Sequence, residues 1–283
     1  MKGFDLVRPP AVAGLFYPET ASALLEQIEQ CFLHPLGPGT MPSSNTVSTP
    51  LLGLVCPHAG YVYSGPVAAH GYSRLAGHKP EVVVLVGPNH YGLGAEIAIS
   101  GAQAWRTPLG QVSIERDLSY KIASMLPGAS LDNLAHAREH SLEVQVPFLQ
   151  YVLGDTFSLV AIALTKQDQA TSSALGEVLA TALSDRPAVV IASSDLNHYE
   201  PQAQTMQRDA LVLEPILSLE PRRVETVVRR HSLTVCGPGA IAAMLESALR
   251  RGASKAELLQ HATSGETSGD YHRVVGYASV AVS

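Results

Sequence analysis

The sequence predicts an α/β fold: one domain spanning residues 1–283, with a mainly parallel central sheet and helices on both faces. Three observations carry this. Short continuous apolar runs, LLGLVCP, EVVVLVGP, FSLVAIAL and AVVIASS, read as strands buried on both faces. Amphipathic stretches at helical spacing lie between them, and this alternation is the signature of a parallel sheet. The chain of 283 residues is long enough for one large domain or two small ones. No internal repeat divides it.

In order, TASALLEQIEQCFLH opens on the cap candidate Thr20 and places Leu24, Leu25, Ile28, Cys31 and Phe32 on one helical face. Pro35 to Pro50 is rich in Pro, Gly, Ser and Thr and reads as a surface loop. Too little chain precedes it to make it a domain boundary. Strand LLGLVCP, a helix from about Ser64 to Pro66 onward, and strand EVVVLVGP follow. EIAISGAQAWRTPLGQVSIE reads as short strands joined at a Pro–Leu–Gly turn, a hairpin decorating an edge. Helices are expected near Asp117 to Met125 and over Glu139 to Leu153, the latter with Leu142, Val146, Leu149 and Leu153 as its apolar stripe. Next come strand FSLVAIAL, a helix from Gln169 to Leu183, strand AVVIASS and two further helices. A helix over about Ala240 to Arg250 and strand VVGYASVAV close the chain.

Composition narrows the function classes. With 46% hydrophobic and 16% charged residues, extended disorder is excluded. A formal net charge of −6 provides no overall basic field to draw nucleic acid or an anionic membrane. The local cluster Arg222, Arg223, Arg229, Arg230 and His231 reads as the solvated face of a helix. Cys31, Cys56 and Cys236 are odd in number and widely spaced, which is no disulfide framework and fits a reducing cytoplasm. The first residues, MKGFDLVRPPAVAGLFYP, lack the apolar core of a signal peptide. No apolar run approaches the ~20 residues that span a bilayer. The expectation is a soluble cytoplasmic protein.

Strand ends carry the chemistry. GLVCPHAGY ends an apolar run at His58, VVVLVGPNHYG at His90, and VVIASSDLNHYE at Asp195 and His198. Open α/β sheets bind ligands beyond the carboxyl ends of their strands. One loop histidine alone usually just bonds a nearby carbonyl, but three strand ends with the same grammar point to a shared site. Pro57, Gly60, Gly87 and Pro88 fit tight turns that would hold the rings rigidly. In TVCGPGA, Cys236 precedes an apparent helix start, where the macrodipole favours a thiolate suited to a nucleophile or metal ligand. Burial as a small hydrophobe is the commoner fate of a free cysteine. Cys31 and Cys56 read that way, although Cys56 shares a strand face with His58. His140 and Glu143 stand at i, i+3 on the expected helix, a spacing found in carboxylate metal helices that normally come in pairs. The serine elbow, the phosphate loop and the dinucleotide fingerprint are all missing from the sequence.

Taken in order, RPPAVAGLFYP, PHAGYVYSG, GPNHYG, REHSLEVQVPFL, SSDLNHY, TVCGPG and TSGDYHRVVGYAS resemble the successive motifs of the Memo family, whose prokaryotic members are often called AmmeMemoRadiSam system protein B. The resemblance runs from Arg8 to Ser279. It implies a fold similar to the class III extradiol ring-cleaving dioxygenases, which hold ferrous iron with two histidines and a glutamate. By that resemblance His58 and His90 take the histidine positions and Cys236 the glutamate position, as ligands of one transition-metal ion: iron first, with copper or zinc as alternatives. His198 matches the acid/base histidine, with Asp195 beside it, and His140 matches a histidine lining the substrate pocket. Cys56 departs from the pattern, standing where an apolar residue is expected.

Thiolate in place of carboxylate changes electron donation to the metal, so dioxygenase turnover does not follow from fold. Three functions stay open. The first is a metal-dependent redox enzyme acting on a small molecule. The second is a binding or adaptor protein using the pocket for a peptide. The third is a component of a modification pathway with radical-SAM and AMMECR-type partner proteins. Ionisable residues cluster at active sites, and the set His58, His90, Cys236, Asp195 and His198 favours a metal centre.

Overall fold

A computed structural model of the chain describes residues 6–43, 45 and 49–283. Its strands are β1 (Val7–Arg8), β2 (Gly53–Cys56), β3 (Val82–Pro88), β4 (Ile97–Ile99), β5 (Ala104–Thr107), β6 (Gly110–Ser113), β7 (Ala129–Leu131), β8 (Ser158–Leu164), β9 (Ala188–Ser193), β10 (His198–Glu200), β11 (Ala256–Thr263) and β12 (Val274–Val282). Its helices are α1 (Ala21–Leu33), α2 (Tyr61–Leu75), α3 (Arg116–Met125), α4 (Val146–Leu153), α5 (Gln169–Ala182), α6 (Gln202–Leu217), α7 (Pro221–Arg230), α8 (Pro238–Arg250) and α9 (Gly265–Ser268).

The large sheet has nine strands in the order β10-β12-β2-β9-β3-β8-β4-β7, with β11 also paired to β12. Its centre, β2-β9-β3-β8, is parallel, with Gly53 opposite Val190 and Val82 opposite both Ala188 and Ser158. Antiparallel strands flank it: β12 against β2, β4 against β8, and both β10 and β11 against β12. The sheet is therefore mixed, parallel where the sequence is most continuously apolar.

Helices cover both faces, and side-chain alternation assigns them. Val82, Val84 and Val86 of β3 face a core with Leu175 and Leu179 of α5 and Ile241 and Leu245 of α8. Val83 and Leu85 face the opposite core, which holds Leu24 and Ile28 of α1, Tyr72 of α2 and Phe148 of α4. Among the described residues, no helix is long and apolar enough to cross a membrane.

Three expectations change in detail. The hairpin β5–β6 forms, but it joins β1 in a separate three-stranded sheet, while β4 enters the large one. The helix expected over Glu139 to Leu153 starts only at Val146, after a single 3-10 turn at Glu143–Gln145. The second helix starts at Tyr61, earlier than expected, and accommodates Pro66 within it. Within the expected loop Pro35 to Pro50, positions 44 and 46–48 lie outside the described residues, and the remainder carries no helix or strand.

Candidate metal centre

Strands β2, β9 and β3 are neighbours, so their carboxyl ends deliver His58, Asp195 and His90 to one place. The loop ahead of α8 is tied to the end of β9: the Cys236 N–H donates to the Asp195 carbonyl at 3.2 Å and the Gly237 N–H to Ser194 Oγ at 2.9 Å. Two overlapping sets result. Ligand atoms of His58, His90 and His140 lie within 4.8 Å of one another, and so do those of His58, Asp195 and Cys236. His58 is common to both, and the expected trio His58, His90 and Cys236 spans the two sets.

Hydrogen bonds fix which ring nitrogens face inward. The Ser193 hydroxyl donates to the Ser141 carbonyl at 2.6 Å and accepts from Gln145 Nε2 at 2.7 Å. Its remaining lone pair meets His58 Nδ1 at 3.0 Å, so Nδ1 carries the proton and Nε2 the free lone pair. That Nε2 is buried and has no hydrogen-bond partner among the described residues. Burial, then the nearby His140 and His90, pull the His58 pKa well below its ordinary value, keeping the ring neutral, the form a metal binds.

His90 is held alike. Its Nδ1 lies 2.9 Å from Glu139 Oε1, and its backbone N–H donates to Oε2 at 2.6 Å. Burial alone would raise the Glu139 pKa. Hydrogen bonding and charge from His90, together with the Ser141 N–H, outweigh it and set the carboxyl at about 2. An ionised acceptor fixes the proton on His90 Nδ1 and leaves Nε2 free. This carboxylate–imidazole arrangement typically orients metal-binding histidines.

His140 stacks on His90 with ring centroids 4.7 Å apart, and Phe16 also packs against it, tilted, at 4.5 Å. His140 and Glu143 do not share a helix face. Glu143 is buried and clamps the amino-terminal segment, accepting from Arg8 at 2.7 Å, from Tyr17 at 2.6 Å, and from the N–H groups of Ala11 and Val12. Those bonds hold RPPAVAGLFYP against the site and place Phe16 as a wall.

The other half joins the edge strand β10 to the loop ahead of α8. His198 Nδ1 lies 2.9 Å from the Thr234 carbonyl, leaving Nε2 at 3.5 Å from Cys236 Sγ. Asp195 does not supply that orientation. Its Oδ1 accepts from the His58 backbone N–H at 2.7 Å. Burial, then the Asp195 charge, push the Cys236 thiol far above its usual range, overriding the thiolate-favouring effect expected at the start of α8. A cation at Sγ would reverse this, because a coordinating thiol deprotonates. Cys56 is wholly buried with its pKa pushed up to about 12, an inert core thiol.

Sequence reading missed the supports. Ser193, Gln145 and Thr234 orient the site from within the quoted motifs, where a polar residue amid apolar ones was the available signal. Asp209, on α6, has no such signal. It is fully buried, and its Oδ1 accepts from the backbone N–H and side chain of Asn197 at 2.9 and 2.8 Å. Asn197 Oδ1 in turn accepts from the Thr234 N–H at 3.0 Å, joining the two segments that carry His198 and Cys236.

Comparison with known proteins identifies the family. The family model for Memo-like proteins matches residues 8–281. The chain belongs to the Memo-like family. A MEMO1 family protein of Methanopyrus kandleri is 46% identical over 276 residues, covering 96% of this chain and 98% of that protein. One from Ignicoccus hospitalis is 46% identical over 279 residues, covering 97% and 98%, and one from Methanocaldococcus jannaschii is 44% identical over 285, covering 98% and 99%. The crystal structure of an uncharacterized Escherichia coli K12 protein matches with a TM-score of 0.56 at 15% identity, covering 82% of this chain and 100% of that one, a likeness of fold alone. In this Memo-like chain the clustered imidazoles, carboxylate and thiol can hold a metal ion.

Proposed function

We propose that this Memo-like protein is a metal-dependent redox enzyme acting on a small molecule, with His58, His90 and Cys236 as ligands. One observation carries the reading: His58 Nε2 is a buried lone pair with no partner, on a neutral ring whose other nitrogen is already committed. Leaving such an atom unsatisfied costs about 1–3 kcal/mol, and a metal ion removes that cost. Iron is the proposed ion, by resemblance to the extradiol dioxygenases; the thiol also makes copper and zinc chemically suitable. Once bound, the ion supplies Lewis acidity and electron transfer.

The chain's own groups do the remaining work. Glu139 and Ser193 hold the rings of His90 and His58 so that both Nε2 atoms face the same point. His198, held by Thr234, presents Nε2 beside Cys236 and serves as the proton-transfer group. Phe16 and His140 form an aromatic wall against which a planar substrate packs.

The test is metal analysis of anaerobically purified protein after separate loading with Fe(II), Cu(I) and Zn(II). Stoichiometric binding that disappears in His58→Ala and weakens in Cys236→Ser is expected. Retention of the metal by His58→Ala would overturn the ligand assignment.

A further inference from the structure

The amino ends of β2, β3 and β9 lie at the opposite end of the sheet from the histidines and border a separate cavity of about 260 Å³. Its walls are mostly apolar: Leu51, Leu75 and Val189, with Pro50, Pro80 and Pro187 around them. Arg251, Arg186, Lys79 and His78 also line it, and among the described residues no acidic side chain does. Arg186 is already paired with Glu115 at 3.1 Å, and Lys79 is exposed.

Arg251 is different. It caps the carboxyl end of α8, and its Nη2 donates to the Ala188 carbonyl at 2.6 Å. Its Nη1 is buried and has no hydrogen-bond partner among the described residues. Burial draws the Arg251 pKa below its ordinary value, a sign that the charge is held with incomplete compensation. The carbonyls ending α8 offset part of that charge through the helix dipole but give Nη1 no acceptor. Among the described residues no carboxylate pairs with Arg251, and an anion in the cavity that it lines would supply the missing counter-charge.

We propose that this cavity is a binding site for a small monocarboxylate with a compact apolar body, its carboxylate held by the Arg251 guanidinium and Lys79 and its apolar part lying between the proline walls. The lining selects this class. Apolar walls with a few convergent polar groups are the usual anatomy of a small-molecule pocket, and a multiply charged anion would find too little polar surface here. The site is independent of the metal reading, since it shares no residue with the histidine cluster.

The test is calorimetric titration and thermal shift of the full chain with benzoate, isovalerate, benzamide and inorganic phosphate. Saturable binding of either carboxylate, with no response to benzamide, is expected. Arg251→Met should weaken carboxylate binding about tenfold or more, as loss of a charge-assisted hydrogen bond does. Lys79→Met should have a smaller effect of the same sign. If Arg251→Met fails to fold, Arg251→Lys takes its place, keeping charge while losing the fork, and still weakens binding. A response to phosphate equal to that for the carboxylates would mean an unselective anion contact, and one to benzamide would mean an apolar cavity only. Either result, or no saturable carboxylate binding, overturns the proposal.

Discussion

The two halves of the candidate centre are built differently. His58 and His90 lie just past the ends of parallel strands on either side of β9, and each has its Nδ1 fixed by a buried side chain, Ser193 or Glu139. His198 opens the three-residue edge strand β10 and Cys236 sits on a loop, and the group fixing His198 is the backbone carbonyl of Thr234. Tyr199, next to His198, has φ of +64°, an uncommon conformation for a bulky residue, and the residue is 65% exposed. Strand ends give fixed geometry; loops give groups that can adjust. On the proposed reading the imidazole ligands lie in the first half, and the second pairs the thiol ligand with the proton-handling histidine.

The sharpest way to break this contrast is to remove one residue from each half. His58→Ala should abolish stoichiometric metal binding, the largest effect expected, because it deletes the ligand common to both sets. His198→Ala should retain most of the metal and lose about 10²–10⁴-fold in turnover of an identified substrate, the usual worth of a general acid or base. Equal metal loss in the two variants would make His198 a ligand and erase the division. On the strand side, Glu139→Gln keeps size but removes the ionised acceptor that fixes His90. It should weaken metal affinity about 10–100-fold, as measured by competition with a chelator.

Acidification probes the buried histidines and Glu139 without mutation. His136 is buried, and burial followed by the nearby Arg8 charge lowers its pKa to about 4; His58 is shifted in the same direction. Below pH ~6.5 the unfolded chain protonates these histidines while the folded one resists, so the unfolded state binds more protons and stability falls as pH falls. The loss should continue down to about pH 4, where His136 itself titrates in the folded protein. Glu139 acts later: its folded pKa of about 2 lies below the unfolded value, so its contribution is complete above pH ~4.5 and is lost as pH falls toward 2. A melting temperature that stays flat from pH 7 to 4 would contradict the buried, neutral state assigned to His58 and His136.

How much of this was legible in sequence follows the same physics. β3 and β9 announced themselves because strands buried on both faces are continuously apolar, and the residues after them were therefore visible as strand-end groups. β11, AELLQHAT, did not: it is half-exposed and antiparallel, and its glutamate, glutamine and histidine break the apolar run. The helix expected from Glu139 failed to start there because the Glu139 carboxylate accepts from the N–H of Ser141 and of His90, side-chain bonds that compete with a helical turn. Among site residues, His58, His90, His140, Asp195, His198 and Cys236 were nameable from motifs. The acceptors that set their tautomers were not, because those pairings join distant segments.

The smallest effect expected concerns one such pairing and probes the loop half. Asp209 touches no proposed ligand, yet through Asn197 it holds the His198 and Thr234 segments together, and its Oδ2 lies 2.9 Å from His261 Nε2. Asp209→Asn can keep the carbonyl toward Asn197 and turn its amide toward His261, provided the His261 ring moves its proton to Nδ1 so that Nε2 accepts. The geometry then survives, and stability should fall by about 1 kcal/mol or less. Asp209→Ala leaves the Asn197 donors buried without an acceptor, a cost of about 1–3 kcal/mol, and frees the loop pair. The readout that separates positioning from plain destabilisation is the ¹⁵N spectrum of the His198 ring. In the wild type and Asp209→Asn it should report a protonated Nδ1, matching the bond to Thr234. In Asp209→Ala that preference should weaken at temperatures where the chain is still folded, while the His58 ring, anchored by Ser193 on the strand side, keeps its tautomer. If both rings changed together, the two halves would be one cooperative unit, and the distinction between strand-built and loop-built groups would fail.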